Sequence, residues 1–256
     1  MTEPRPDAGL AVVTGASSGI GAATARALAA RGFRVIAAAR RTELLADLYA
    51  DDSLIEPWEL DVTDQASVDR LATYVADKDV TVLVGNAGGA FDATTLADAD
   101  LDSWAQTMDV NVIGTVRTVR AMLPALIESG RGLVVLMGST AGRVAYENGG
   151  SYVAAKHAVA AIAGTLRLEL SGQPVRVSEI APGMVRTDEF ARNRFGGDAD
   201  KAAKVYEGVA EPLSAEDVAE TVAWIATLPL HVNVDLMVIR PVAQAAQHKV
   251  HRVLPN

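Results

Sequence analysis

Short runs of β-branched and apolar residues alternate along the chain with longer, alanine-rich stretches whose apolar positions follow helical spacing. That alternation is the pattern of stacked βαβ units on a parallel sheet. It predicts strands over 10–14, 34–39, 54–59, 81–85, 132–138, 175–180 and 234–239. Helices are predicted between them, over 19–31, 42–49, 65–76, 102–127, 151–171 and 215–226. Seven such strands, flanked by helices on both faces, make a single-domain, doubly wound α/β sheet whose ligands gather at the carboxyl ends of its strands.

The pattern lapses over 187–212, where Phe190, Arg194, Gly196, Gly197 and Asp198 interrupt any continuous period. Such a stretch reads either as a mobile lid or as a surface excursion with no role in turnover. Around a core domain at 9–242, residues 1–8 are expected to be a flexible start and 243–256 a polar tail, frayed or packed on another subunit.

Composition narrows the partners. Half of the 256 residues are hydrophobic, enough for one sizeable core. A net charge of −9 and a pI near 4.9 argue against a nucleic-acid surface, because phosphate would be repelled. An anionic ligand must therefore meet locally placed donors. With no cysteine, disulfides, thiolate nucleophiles and cysteine metal sites are excluded. His157, His231, His248 and His251 have no recognisable ligand spacing, so no metal site is expected. No apolar run reaches the roughly 20 residues a bilayer crossing needs without polar interruption. The opening residues lack the basic-then-apolar order of a secretory signal, so a cytoplasmic protein without a membrane partner is expected.

Three glycines stand between the first strand and first helix, in Thr14-Gly15-Ala16-Ser17-Ser18-Gly19-Ile20-Gly21. Lacking a Cβ, they allow a tight turn, close approach of a pyrophosphate to the backbone and close helix–sheet packing. The helix N-terminus then offers amides and a partial positive charge to phosphates. The same turn also serves purely for packing in some chains. No Lys-Ser/Thr pair follows it, which argues against a Walker-type ATP site. In many dinucleotide sites an acidic residue at the end of the second strand holds the ribose hydroxyls. Here Ala37-Ala38-Ala39 leads instead into Arg40-Arg41. A guanidinium binds a 2′-phosphate through a fork of charge-assisted hydrogen bonds, so NADP(H) is favoured over NAD(H), with Arg40 ahead of Arg41. Two solvated arginines at a helix start are the plain alternative. Asp61-Val62, after the third strand, either holds the adenine edge or caps the next helix.

Ser151-Tyr152-Val153-Ala154-Ala155-Lys156 puts a phenol and an ammonium four residues apart, on one helical face. A nearby cation favours phenolate and brings a tyrosine toward a useful range for proton exchange with a substrate oxygen. Ser139, at the end of the fifth strand, is placed to hydrogen-bond that oxygen. Taken alone, Tyr-x-x-x-Lys also occurs on ordinary amphipathic helices.

Together these residues resemble the short-chain dehydrogenase/reductase family over nearly the whole chain, which implies a Rossmann fold. The family's glycine turn is matched from Thr14 to Gly21, its Asn-Ala-Gly by Asn86-Ala87-Gly88, and its helix asparagine by Asn111. Its serine, tyrosine and lysine fall on Ser139, Tyr152 and Lys156, and its Pro-Gly on Pro182-Gly183, followed by Val185 and Thr187 in the cofactor groove. The resemblance implies that Tyr152 is the acid/base, Lys156 lowers its pKa and binds the nicotinamide ribose, Ser139 polarises the carbonyl, and Asn111 positions a water in a proton relay. Gly15, Ser17, Ser18, Gly19, Ile20, Gly21, Asn86, Ala87 and Gly88 would line the cofactor groove. It also implies a homo-oligomer, tetramer or dimer, built on the helices at 102–127 and 151–171. The segments 183–190 and 231–242 resemble the branch containing NADP-dependent 3-hydroxy acid and serine dehydrogenases.

The expected activity is hydride transfer between NADP(H) and a small carbonyl or secondary alcohol, with a 3-hydroxy acid as one candidate. Substrate-pocket candidates are Ser139, Arg143, Tyr146, Met184 and Arg186, with Gly89 and Ala90 beside them; Arg143 or Arg186 would hold a carboxylate. A non-catalytic NADP(H)-sensing protein on the same fold is the alternative, since fold does not fix activity. The intact Ser139, Tyr152 and Lys156 weigh against it. A methyltransferase on a related sheet would not require the tyrosine–lysine spacing.

Overall fold

A computed structural model describes residues 8–187, 189 and 193–253. Residues 1–7 of the expected flexible start, Asp188 and Phe190, and residues 254–256 of the tail lie outside the described residues. Strands β1 (Leu10–Thr14), β2 (Arg34–Ala39), β3 (Ile55–Glu59), β4 (Val80–Gly85), β5 (Gly132–Met137), β6 (Val175–Pro182) and β7 (Leu236–Ile239) form one parallel sheet in the order β3-β2-β1-β4-β5-β6-β7. The helices are α1 (Gly19–Ala29), α2 (Thr42–Leu48), α3 (Gln65–Val75), α4 (Leu101–Met108), α5 (Gly114–Glu128), α6 (Gly150–Glu169), α7 (Ala199–Lys204) and α8 (Ala215–Ala226). The expected Rossmann architecture is the observed one.

Side chains alternate between two cores, as the pleat requires. Ala11, Val13, Val35 and Ala37 pack under α1 and α8 with Leu28 and Val222. Leu10, Val12, Ile36 and Ala38 face α3, α5 and α6 with Leu71, Met122 and Ala163. Leu28 and Leu71 are wholly buried, each contributing roughly 1.5–3 kcal/mol by the transfer of apolar surface. Pro57 lies in β3, at the sheet edge, where its missing N–H interrupts no central ladder. The chain leaves β1 in one direction along the sheet and returns to β4 on the other side, so the strand order reverses there and a crevice opens at the strand ends.

Three expectations are corrected. The helix predicted over 102–127 is two α-helices joined by a π-helical turn, Asp109–Ile113. Asn111 lies inside that turn, with its amide bonded to the backbone of Thr107 and Gly89 rather than directed to solvent. The combined run Leu101–Glu128 is long and apolar enough to cross a bilayer by length and composition. In this fold it packs against α3, α6 and β4 as a core element. The irregular stretch 187–212 contains α7, capped by the Asp198 side chain on Lys201 N. Its ends are pinned: Arg186 N donates to Leu213 O at 2.8 Å and Leu213 N to Met184 O at 3.0 Å. Over residues 243–253 the tail is folded onto its own chain rather than frayed. Strands β8 (Gln244–Ala246) and β9 (Lys249–Val250) form a hairpin, and Val253 N donates to Gly208 O at 2.8 Å. At the other end Ala8 is already buried, its carbonyl accepting from Thr81 Oγ1 at 2.9 Å.

Candidate active site

The strand ends open onto one cleft of about 1130 Å³. Ligand pockets for small molecules typically run to roughly 1,000 Å³, so this cleft has room for a dinucleotide and a small substrate. The turn after β1 forms one wall. Gly15 and Gly19 have φ of +67° and +50°, which side-chain-bearing residues rarely adopt, and a Cβ at Gly21 would run into the Gly15 carbonyl. No side chain caps α1, and no acidic residue stands in its first turn. Its leading amides are therefore left for an external acceptor.

Two bridges brace this turn. Thr14 Oγ1 accepts from Asn86 N at 3.0 Å and Ala87 N at 2.9 Å, while Asn86 Nδ2 donates to Thr14 O at 2.9 Å. Tyr49 donates its hydroxyl to Ala16 O at 2.7 Å, and burial pushes that phenol up to about 12, keeping the donor proton in place. Thr187 sits over the turn, with its Cγ2 3.3 Å from where a Gly19 Cβ would stand.

At the end of β2 both arginines are exposed and line the cleft. Arg41 Nη2 donates to Ser17 Oγ at 2.7 Å and to Glu189 Oε2 at 2.8 Å, joining the glycine turn to the segment after β6. Arg40 is near enough to Asp61 to act on its charge. Asp61 does not cap α3; Asp64 does, accepting from Ala66 N and Ser67 N. Asp61 instead accepts from Thr63 N and Oγ1 at 2.9 and 2.7 Å, and these bonds outweigh burial and hold its carboxyl below the usual range. Val62, beside it, lines the cleft and packs on Gly114.

The opposite wall carries Ser139, Tyr152 and Lys156. Ser139, in extended conformation after β5, accepts from Ala141 N at 3.1 Å and hydrogen-bonds the Tyr152 hydroxyl. Tyr152, near the start of α6, is raised above the ordinary tyrosine value, chiefly by burial; Ser139 and Arg194 act in the opposite sense. Lys156 is buried one turn further on, with Nζ 2.8 Å from Met137 O and 5.5 Å from the centre of the Tyr152 ring. Burial lowers the Lys156 ammonium to about 8. Burial thus shifts both groups toward their neutral forms.

Among the other predicted residues, Pro182, Gly183, Met184, Val185, Arg186, Gly88, Gly89 and Tyr146 all line the cleft, whereas Ala90 is fully buried. Asn111 and Arg143 fall outside its lining. The Asn111 amide donates to Gly89 O and Thr107 O at 2.8 Å and accepts from Gly89 N, so the side chain fixes the loop after β4. Arg143 pairs with the fully buried Glu179, so it is not placed to clamp a substrate carboxylate. Sequence reasoning missed Arg194, Phe195, Glu189 and Phe91, which line the cleft, and the tail residues Gln244 and Gln247. Gln244 Oε1 accepts from Met184 N at 2.8 Å and Gln247 Oε1 from Thr140 Oγ1 at 2.9 Å. Glu189, Arg194, Phe195, Gln244 and Gln247 reach the cleft from segments read as irregular or terminal, where nothing local marks them, and Phe91 directly follows the predicted Gly89 and Ala90.

Comparison with known proteins agrees with this geometry. A family model described as short chain dehydrogenase matches residues 9–195. An uncharacterized oxidoreductase of Mycobacterium tuberculosis is 52% identical over 240 residues, covering 93% of this chain and 92% of that protein. An NADP-dependent 3-hydroxy acid dehydrogenase of Salmonella typhi is 40% identical over 249 residues, covering 95% and 99%. Among solved structures, the closed form of a serine dehydrogenase complexed with NADP+ superposes with a TM-score of 0.89 at 36% identity, covering 95% of this chain and all of that one. The chain belongs to the short-chain dehydrogenase family and is an NADP-dependent oxidoreductase.

Proposed function

We propose that this oxidoreductase interconverts a small hydroxy acid and the corresponding keto acid, with Tyr152 as the proton donor and acceptor. The observation that carries this reading is the hydrogen bond between Ser139 and the Tyr152 hydroxyl, with buried Lys156 alongside, in the same cleft as the glycine turn. The names of two relatives, a 3-hydroxy acid dehydrogenase and a serine dehydrogenase, support a substrate that is both small and carboxylated.

The residues present fit NADP(H): the glycine turn has no space for side chains, and Arg40 and Arg41 stand where a 2′-phosphate requires cations. The open start of α1 would face the pyrophosphate, Asp61 and Val62 the adenine, and Asn86, Ala87, Gly88, Pro182, Gly183, Val185 and Thr187 the rest of the groove. When bound, NADP(H) supplies or accepts the hydride. Ser139 donates a hydrogen bond to the substrate oxygen. A Tyr152 phenol raised by burial is protonated at neutral pH, so it gives its proton to that oxygen in the reductive direction. In oxidation Tyr152 acts as the phenolate, having first released its own proton to solvent, and takes up the proton of the substrate hydroxyl while the hydride leaves to NADP+. Lys156, anchored on Met137 O, holds the cofactor ribose and the charge beside the phenol.

The test is a screen of 3-hydroxy acids and neutral secondary alcohols monitored at the nicotinamide absorbance, repeated with Tyr152→Phe. The variant should keep its affinity for NADPH and lose about 10²–10⁴-fold in turnover. Retained turnover would remove Tyr152 from its role. NADPH binding with no turnover by the unmodified protein on any substrate would favour a cofactor sensor instead.

A further inference from the structure

We infer that Arg194 is the residue that receives the substrate carboxylate, and that it selects hydroxy acids over neutral alcohols. This rests on the oxidoreductase reading above and adds the group that fixes the substrate's acidic end.

The guanidinium of Arg194 lines the cleft that holds Ser139 and Tyr152, and it reaches that position from the segment beyond β6. It lies over the Tyr146 ring at 5.2 Å and near the Phe195 ring at 5.7 Å, and Nη2 donates to Asn148 O at 3.2 Å. These contacts fix the plane of the fork without neutralising its charge. Among the described residues no carboxylate pairs with it, and its Nε is buried without a hydrogen-bond partner. A cation with a buried, unpaired donor and no carboxylate beside it is costly, and a carboxylate bound in the cleft would offset its charge.

The support beneath it is itself unusual. Asn148 has φ of +58°, the only left-handed residue other than glycine among those described, and that conformation presents its carbonyl to Arg194. Backbone strain of this kind persists where the surrounding structure enforces it, often at ligand sites. Tyr146 packs so closely on Gly149 that a Cβ there would collide with the ring. Gly149 directly precedes α6, so Arg194 is registered, through Tyr146, against the helix that carries Tyr152.

The other arginines differ in kind. Arg143 is held by Glu179 and Arg41 by Glu189. Arg186 is exposed and lies over Tyr206 at 5.4 Å, whereas Arg194 is close enough to Tyr152 to act on its charge. A planar fork beside the phenol suits a carboxylate a few bonds away from the reacting carbon.

The experiment compares the unmodified protein with Arg194→Gln and Arg194→Lys, using 3-hydroxybutyrate and 2-butanol as substrates. Binding of butyrate, a non-reacting carboxylate, to the NADP+-loaded protein is followed in parallel by calorimetry. Arg194→Gln should lose about 10–100-fold in kcat/KM for the acid, mostly through KM, and lose butyrate binding, with a several-fold smaller loss on 2-butanol that falls on kcat through the charge beside Tyr152. Arg194→Lys should recover part of the loss. An equal loss on both substrates would make Arg194 a support for the loop and overturn the assignment, as would an undiminished rate on the acid. If the unmodified protein takes 2-butanol but neither 3-hydroxybutyrate nor butyrate, the carboxylate site fails and the oxidoreductase reading survives. Butyrate binding that depends on Arg194 without turnover of either substrate would leave the site standing and sink the hydroxy-acid reaction. Neither binding nor turnover overturns both.

Discussion

Lys156 shows why single residues in this site are not described by their type alone. Its position was legible from the spacing to Tyr152, because both lie on one face of a helix whatever surrounds it. Its protonation was not, because desolvation depends on what the fold places around it. Burial lowers Lys156 to about 8 from 10.5, so between those values the unfolded chain binds the proton and the folded chain does not. Stability contributed at this residue therefore rises with pH through that window, and the full penalty, on the order of 3 kcal/mol, is present below pH 8. Unfolding by urea at several pH values between about 8 and 10, below the range where the raised tyrosines titrate, should give an upward slope that Lys156→Met flattens. An unchanged slope in the variant would mean that the proton is released elsewhere. The same limit applies to Arg40 and Arg41: sequence placed two cations at the end of β2, and only the structure gave Arg41 the contacts with Ser17 and Glu189.

At the scale of elements, the glycine turn was readable because its requirements are local: positive φ, no Cβ and a helix beginning at once. The run from 101 to 128 was not, since the π turn at Asp109–Ile113 accompanies Asn111 bonding across to Gly89, a contact with another element. The segment after β6 shows how one element conditions another. Glu189 bonds to Ser18 and Arg41; although burial works against it, these bonds hold its carboxyl below the usual range, so it is an anion placed on the cation that a 2′-phosphate would use. Replacing it by Glu189→Gln should tighten NADPH binding by about twofold to fivefold and leave NADH nearly unchanged, read by titration of nicotinamide fluorescence. The pair is partly exposed, which keeps the effect modest. Weaker NADPH binding would mean that Glu189 orders the site for the cofactor and does not compete with it.

For the whole molecule, the cleft is assembled from nearly the entire length of the chain, from Gly15 to Gln247. Apolar side chains remain exposed on the helices that the family resemblance assigns to subunit contacts: Val116 on α5 is 43% exposed and Leu168 on α6 is 80% exposed. Light scattering is expected to give a dimer or tetramer, and the double variant Val116→Asp, Leu168→Asp should lower that mass. A monomeric unmodified protein, or an unchanged mass in the variant, would place any assembly on other surfaces. By itself the sequence determined the seven strands of the sheet and their alternation with helices, the glycine turn and the positions of Ser139, Tyr152 and Lys156, because period, glycine spacing and helical phase are encoded within a few residues. Tertiary structure alone decided which charges pair, as with Arg41 and Glu189, 148 positions apart, and Thr140 and Gln247, 107 apart. Such partners are chosen by the path of the backbone through space, and no local pattern carries that information.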